Sequence, residues 1–450
     1  MVNIPLRGGA WCAAFVVLLA HSGQTCAMGL MQAYEAALQH DPVYRSALFD
    51  NQAGQQYRAI GRSGLLPSVQ YTYSTSKNQA DRTSPDFLGT PSTTHPEYTS
   101  ISSSISLRQT LFNLNTSARY RQGIAQAGYS DAQFSGRSQE LMIRLVSAYA
   151  DAKYAQDQLA LYGAQRDAFA ERRRVNERMF DKGEGTRTDM LETQAKLDLA
   201  QAQVIESADN LATARSTLAA MLGREVTQLN GLANDFEGVP PSLFGIAQWK
   251  AMAERDNAEL AAGRFALQAA EQEISKSRAG HAPRLDLNAS YSRSSSDSLT
   301  NYKQDSTVRS IGVQLVVPLY AGGYVNAVSH QAVANRDKAG SDLEASTNKV
   351  MIEVGKQFGA LHSGVARMAA LQKSLASASS LVTATQHSVK GGERTNLDVL
   401  NAQQQQVAAQ RDLAQARYNH LISFLKLRFA AGSLNIDDLR IVAGYFSAAN

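Results

Sequence analysis

The stretch Arg284-Leu285-Asp286-Leu287-Asn288-Ala289-Ser290-Tyr291 decides the reading of this chain. Leu285, Leu287, Ala289 and Tyr291 fall on one side of an extended backbone, and Arg284, Asp286, Asn288 and Ser290 on the other. Period two with one apolar and one wet face is the signature of a half-buried strand. Three other stretches repeat it. Val69, Tyr71 and Tyr73 oppose Gln70, Thr72 and Ser74. Ile101, Ile105, Leu107 and Leu111 oppose Ser102, Ser104, Ser106 and Arg108. Ile311, Val313, Leu315 and Val317 oppose Ser310, Gly312 and Gln314. The spacing predicts strands over about 66–76, 100–112, 284–293 and 308–319. Their length, about ten residues, suits a membrane barrel strand. Two ordinary hairpins lying on helices would give the same alternation. A membrane barrel needs about eight or more strands. One chain offers four, so a barrel would be shared between copies: two chains give eight strands, three give twelve.

Working outward, the strands come in pairs because the chain is a repeat. Pro67 and Pro283 open the two strand pairs at an offset of 216. Thr110-Leu111-Phe112 matches Pro318-Leu319-Tyr320 at 208, and Leu222-Gly223 matches Ala431-Gly432 at 209. Gly183-Glu184-Gly185-Thr186-Arg187-Thr188-Asp189-Met190-Leu191 matches Gly392-Glu393-Arg394-Thr395-Asn396-Leu397-Asp398-Val399-Leu400, again at 209. The drop from 216 to 208 places about eight extra residues in the first hairpin loop, where Pro85, Pro91 and Pro96 sit among Ser and Thr. The domain reading is a signal peptide over 1–27, a first repeat over 28–229, a Gly- and Pro-rich linker over 230–245 and a second repeat over 246–450. Each repeat reads helix, strand, loop, strand, long helix, turn, long helix.

The helices carry heptad patterns of coiled-coil type. Leu141, Leu145, Ala148, Ala152, Ala155, Leu159 and Tyr162 alternate steps of four and three, and Met190, Leu197, Val204, Leu211 and Leu218 recur about every seven. Met142, Val146 and Tyr149 mark a second stripe, so one helix can pack on two neighbours, as the wall of a cylinder requires; a plain antiparallel bundle fits the same stripes. From about Asn115 to Phe180 a continuous helix would be about 100 Å long at 1.5 Å per residue. Gly123 and Gly128 are candidate interruptions. The turns carry the notable polar residues. Thr186-Arg187-Thr188-Asp189 and Thr395-Asn396-Leu397-Asp398 both read Thr-x-x-Asp at a helix start. As structure, Thr186 and Thr395 cap and the acids favour the helix N-terminus. As function, the same ends would ring a pore mouth.

Composition narrows the rest. The chain has 450 residues, 44% hydrophobic and 19% charged, with formal net charge +4. There is no long Lys/Arg block, which argues against nucleic acid as the partner. Aromatics are 7%, which suits long thin helices better than a thick core. Arg7, the apolar stretch from Ala10 to Ala20 and the small residues Thr25-Cys26-Ala27 read as a secretory signal. Thr25 stands where a lipoprotein site has Gly or Ala. Both cysteines, Cys12 and Cys26, fall within that signal. Cleavage after Ala27 removes disulfide, thiolate-zinc and thiol chemistry together. Past the signal no apolar run reaches 18 residues, so a membrane would be crossed by strands. None of the eight histidines pairs with another at i+3 or i+4, and there is no Walker A loop, G-x-S-x-G or H-E-x-x-H. Neither an enzyme nor a cofactor or metal is expected.

Taken together, the repeat, the strand pairs and the paired turns resemble the TolC family of outer-membrane channels over about Leu30 to Leu439. The marks are Asp41-Pro42 with its counterpart Asp256-Asn257-Ala258-Glu259-Leu260, and the Leu-Pro strand entry with Val317-Pro318-Leu319-Tyr320-Ala321-Gly322-Gly323. Arg394-Thr395-Asn396-Leu397-Asp398-Val399-Leu400 and Ala416-Arg417-Tyr418-Asn419 complete them. Gly185-Thr186-Arg187-Thr188-Asp189 with Glu192-Thr193-Gln194-Ala195 resembles the subgroup serving type I, alkaline-protease-type secretion. The resemblance implies a mixed α and β fold, with long antiparallel coiled-coil helices and four transmembrane strands per chain. It implies a homotrimer with a 12-stranded barrel in outer-membrane lipid and an α-helical periplasmic tunnel. It further implies docking of a periplasmic adaptor protein and an inner-membrane ABC transporter, with an unfolded secreted protein as cargo; small-molecule efflux and a structural coiled-coil envelope protein are the competing readings. Carried over by motif, Arg394 and Asp398 fall on gate positions facing Thr188 and Asp189. Asn401 stands where the family has a second aspartate and Val389 where it has a gate tyrosine. The resemblance therefore implies a less acidic constriction with a weaker lock.

Overall fold

The computed structural model describes residues 27–233, 236–239, 244–296 and 304–447. The expected signal peptide, with Cys12 and Cys26, lies outside the described residues except for Ala27. The first half runs α1 (Leu30–His40), α2 (Pro42–Ser63), β1 (Ser68–Gln79), β2 (Arg82–Pro85), β3 (Pro91–Thr94), β4 (Glu97–Phe112), α3 (Leu114–Asp181) and α4 (Arg187–Leu222). After β5 (Gly231–Leu232) the order continues with α5 (Ile246–Asp256), α6 (Ala258–Arg278), β6 (Arg284–Ser296), β7 (Gln304–Val316), α7 (Tyr324–Lys390) and α8 (Asn396–Ala430). α9 (Ile436–Gly444) and β8 (Phe446–Ser447) close the chain, and β8 pairs with β5. The element between β1 and β4 is a small hairpin of its own, β2 with β3. It accounts for the length of the first loop.

Four strands form one antiparallel sheet in the order β1-β4-β6-β7. β1 and β7 begin and end where proline dictates. Pro67 and Pro318 have no N–H to give a ladder, so β1 starts at Ser68 and β7 stops at Val316. Leu66, Val317 and Leu319 are therefore outside the strands that were expected to contain them. Between Thr110 and Phe112 the register shifts against β6, which makes Leu111 the extra residue of a bulge. That bulge puts Phe112 opposite Leu285 and ends the alternation in which Leu111 was counted.

The sheet leaves its apolar face bare. Val69 is 66% exposed, Ile311 78% and Leu315 63%. On the polar face Asp286 is 1% exposed, and Arg108 Nη2 reaches its Oδ2 at 2.7 Å. Hydroxyl pairs continue that face, with Ser290 and Ser310 2.7 Å apart and Ser294 and Ser306 2.7 Å apart. Hairpins resting on helices would bury the opposite face. Among the described residues no helix is long and apolar enough to cross a membrane.

The helices form the other end. α3 is 68 residues, about 100 Å at 1.5 Å each. It runs unbroken through Gly123 and Gly128. These glycines mark close helix crossings: a Cβ on Gly123 would sit 2.3 Å from the Tyr57 carbonyl oxygen, and one on Gly128 2.7 Å from the Phe265 ring. α3 packs on α2 and α6, then on α4 and α8, while α7 packs on α6 and α8. Both predicted stripes of α3 serve this double contact. Leu141, Leu145 and Ala152 are buried, and so are Met142, Val146 and Tyr149. They join Leu30, Ala33, Leu218, Leu222, Leu421, Leu425 and Leu439 in the main core. The Tyr149 hydroxyl donates to the Met28 carbonyl at 2.7 Å, which ties the incoming chain to that core.

Caps repeat across the two halves. Asp41 accepts from the Val43 and Tyr44 N–H groups at 2.7 and 3.0 Å and pairs with Arg144 at 3.0 Å. Its counterpart Asn257 caps Leu260 N–H at 3.1 Å and donates to the Ala430 carbonyl at 2.9 Å. Gly223 and Gly432, both at positive φ (68° and 72°), close α4 and α8 against these junctions. A Cβ there would meet His40 or the Asp256 backbone at under 2.5 Å. Away from the main core the coil thins. Its far end holds a small apolar cluster of Phe169, Leu197, Ala200 and Leu400.

The two coil ends as a candidate functional site

Both long helix pairs finish in the same kind of turn. α3 ends with Gly183 at φ 73°, and Glu184 N–H bonds the Met179 carbonyl at 2.9 Å. α7 ends with Gly392 at φ 76°, and Glu393 N–H bonds the Ser388 carbonyl at 3.0 Å. Glycine in the left-handed region lets the chain reverse while satisfying the last carbonyls of the helix.

The next helices start on the two Thr-x-x-Asp motifs. Thr186 Oγ1 accepts from Asp189 N–H at 3.1 Å and donates to Asp189 Oδ2 at 2.6 Å. Thr395 makes the fuller version. Its N–H and hydroxyl both donate to Asp398 Oδ2, at 3.0 and 2.9 Å, while Asp398 N–H reaches back to Thr395 Oγ1 at 3.4 Å. Thr186 and Thr395 are the N-cap residues of α4 and α8. The Thr395 N–H, then its hydroxyl, then the nearby Arg394 charge hold the Asp398 carboxyl below the usual carboxylate range. Arg394 makes no ion pair among the described residues. Thr188 and Asn401 are exposed.

What joins the two ends is a set of residues to which the motifs gave no gate or cap role, although Thr193 and Asn396 stand within them. The Thr193 side chain is fully buried and bonded three ways. It accepts from Asn176 Nδ2 of α3 at 2.8 Å and from Asn396 Nδ2 of α8 at 3.1 Å, and it donates to the Asp189 carbonyl at 2.8 Å. One donor and two acceptor sites are the whole capacity of a hydroxyl. One turn further along, Lys196 of α4 donates to Gln404 Oε1 of α8 at 2.8 Å. A signal for Thr193 exists in the sequence. Thr193, Ala200 and Ser207 recur every seven residues and are all buried, flanking the Leu197 and Leu211 stripe. Asn176 likewise follows Phe169 by seven, and both are buried. Small and polar residues in a heptad seam do not announce themselves as apolar ones do.

The chemistry available here is hydrogen bonding and charge at the tip of a thin coil. Contacts of this kind are weaker than the apolar core that grips the middle of α3 around residues 141–152.

A profile of the outer membrane efflux protein family matches residues 33–224 and 250–433. The chain is 40% identical over 439 residues to the proteases secretion protein PrtF of Dickeya chrysanthemi, covering 96% of this chain and 94% of that one. It is 39% identical to the alkaline protease secretion protein AprF of Pseudomonas aeruginosa, covering 96% and 90%. Among solved structures, the Campylobacter jejuni CmeC outer membrane channel superposes with a TM-score of 0.77 at 15% identity, over 99% of this chain and 98% of that one.

Proposed function

The chain belongs to the outer membrane efflux protein (TolC) family, and we propose that it is the outer-membrane exit duct of a type I protein secretion system. Three copies close their four-stranded sheets into a 12-stranded barrel, and their helices continue it as a periplasmic tunnel. The observation that carries this is the exposed apolar face of a sheet with two open edges. Strand edges cannot stay unpaired in hydrocarbon, so β1 and β7 must pair with copies. The duct itself is passive. A periplasmic adaptor and an inner-membrane ABC transporter supply the coupling and the ATP hydrolysis, and an unfolded protein is the cargo. The similarity to two protease secretion proteins along nearly the whole chain favours protein cargo over small molecules.

The movable constriction lies at the two coil ends. Asp398, held ionised by Thr395, and Asp189 supply negative charge, and three copies of each ring the mouth. Arg394, exposed and without an ion pair among the described residues, is available to a neighbouring end. Thr188 and Asn401 complete the rim, with Thr186 and Thr395 holding the acids in place. Asn401 leaves the ring less acidic than a second aspartate would.

Expression in a Pseudomonas aeruginosa strain lacking AprF tests the cargo class. Restored alkaline protease secretion is the expected result. Failure there, with restored drug resistance in a strain lacking TolC, would move the protein to small-molecule efflux.

A further inference from the structure

The strand register assigns the outward face row by row. Val69, Leu107, Ala289 and Ile311 form one apolar row. The next row toward the distal end is Tyr71, Ile105, Tyr291 and Arg309, followed by Tyr73, Ser103, Arg293 and Thr307. Above these the same face carries Thr75, Ile101, Ser295 and Asp305, and then Lys77 and Thr99. The apolar band therefore ends in a tyrosine girdle, and beyond it the face is mainly basic and hydroxyl, with Ile101 as the one apolar side chain among these rows. The helices join the sheet at its other end, so this girdle faces the leaflet away from the periplasm.

We propose that Arg293 and Arg309, with Lys77 on the same face, form a binding site for the phosphate groups of the lipid in that distal leaflet. The proposal rests on the outer-membrane barrel reading above. Arg293 pairs with Thr307, which makes Arg309 its diagonal cross-strand neighbour, with Cα atoms about 7–8 Å apart. Both side chains are exposed and neither makes an ion pair among the described residues. Two like charges so placed repel unless an anion sits between them. Asp305 occupies the other diagonal from Arg293 and makes no ion pair with it, and Glu97 lies further out. The Arg309 guanidinium lies over the Tyr291 ring, 5.6 Å from its centroid, which holds it level with the girdle instead of extended into water. Headgroup phosphates stand at that depth, just beyond an aromatic belt. The occupant is thus a phosphate-bearing lipid, recognised by charge from the arginines and by hydroxyls from Ser103, Ser295 and Thr307.

Binding of fluorescent lipid A to the full-length protein in phosphatidylcholine nanodiscs tests this, using the bisphosphorylated and the dephosphorylated forms. The expected result is saturable binding of the phosphorylated form only. The double variant Arg293→Gln/Arg309→Gln should bind about 30-fold more weakly, on the scale of about fivefold per basic residue near an anionic surface. Arg293→Lys/Arg309→Lys should recover most of it. Equal binding of the two lipid forms by the unmodified protein would overturn the proposal without any variant having to fold. Conductance measured on the same protein separates the two readings. A conducting channel indifferent to phosphate removes this site alone, whereas a protein that neither inserts nor conducts removes the barrel and the site together.

Discussion

Thr193 shows how little holds the two coil ends together. Its hydroxyl is the meeting point of α3, α4 and α8, and the apolar cluster nearby is small: Phe169, Leu197, Ala200 and Leu400. Thr193→Val keeps the shape and deletes the hydroxyl. The Asn176 amide then loses its strong acceptor in a buried site, at about 1–3 kcal/mol. Amide exchange in residues 176–193 and 396–404 should rise about tenfold or more, and the reconstituted channel should spend more time in larger conductance steps. Unchanged exchange and conductance would show that Thr193 is only packing. The acids were legible in the sequence because Thr-x-x-Asp is a capping pattern whose geometry follows from the helix N-terminus itself. Thr193 and Asn176 were not, because a hydroxyl or amide in a heptad seam differs from a surface residue only in what the neighbouring helices place beside it.

At the scale of the element, α3 owes its continuity to what lies across from its glycines. From the sequence alone Gly123 and Gly128 are candidate breaks, since glycine weakens a helix by about 1 kcal/mol. The packing reverses that reading: these are the points where backbone must touch backbone or ring. Gly123→Ala should lower the melting temperature, because a Cβ 2.3 Å from the Tyr57 carbonyl forces α2 and α3 apart at about 1–3 kcal/mol. Gly163→Ala on the same helix meets nothing within 4 Å and should be neutral or slightly stabilising. Equal melting of the two variants would refute the close-crossing account. The linker obeys a different control. His420 of α8 is buried, and its Nε2 accepts the Val239 N–H at 3.1 Å, while Nδ1 has no partner. Burial holds its pKa below the usual 6.5. The neutral ring is the form that grips the linker, so this stability is complete above about pH 6.5 and is lost as pH falls through the lower folded value. Val239 amide exchange, corrected for its intrinsic rate, should accelerate as the medium is acidified below that point. In His420→Gln, which cannot titrate, the acceleration should vanish; its persistence would place the pH response elsewhere.

At the scale of the whole molecule, the decisive property is which face of the sheet the chain leaves bare. Alternation in 284–291 establishes two faces but is symmetric between them, so the sequence admits hairpins resting on helices as readily as a barrel wall. The three-dimensional arrangement breaks that symmetry: the apolar side chains are left bare, whereas on the polar face Asp286 is buried against Arg108. The ends of the strands were less legible than their middles, because the bulge at Leu111 and the prolines at 67 and 318 act through ladder hydrogen bonds that a period-two pattern does not encode. Neighbouring residues on β7 turn this into a test. Ile311 sits in the apolar row with Val69, and Ser310 points to the polar face, where it bonds Ser290 at 2.7 Å. Ile311→Arg places a charge against hydrocarbon, which costs about 2–4 kcal/mol at mid-bilayer depth for each copy. Three copies per trimer should abolish heat-resistant trimers in the outer-membrane fraction. Ser310→Arg puts the same side chain into the lumen, so trimers should persist while single-channel conductance and cation preference fall. If the effects were exchanged, with Ser310→Arg blocking assembly and Ile311→Arg conducting normally, the sheet would be inside out with respect to this account. If neither variant changed anything, the strands would not be in a membrane at all.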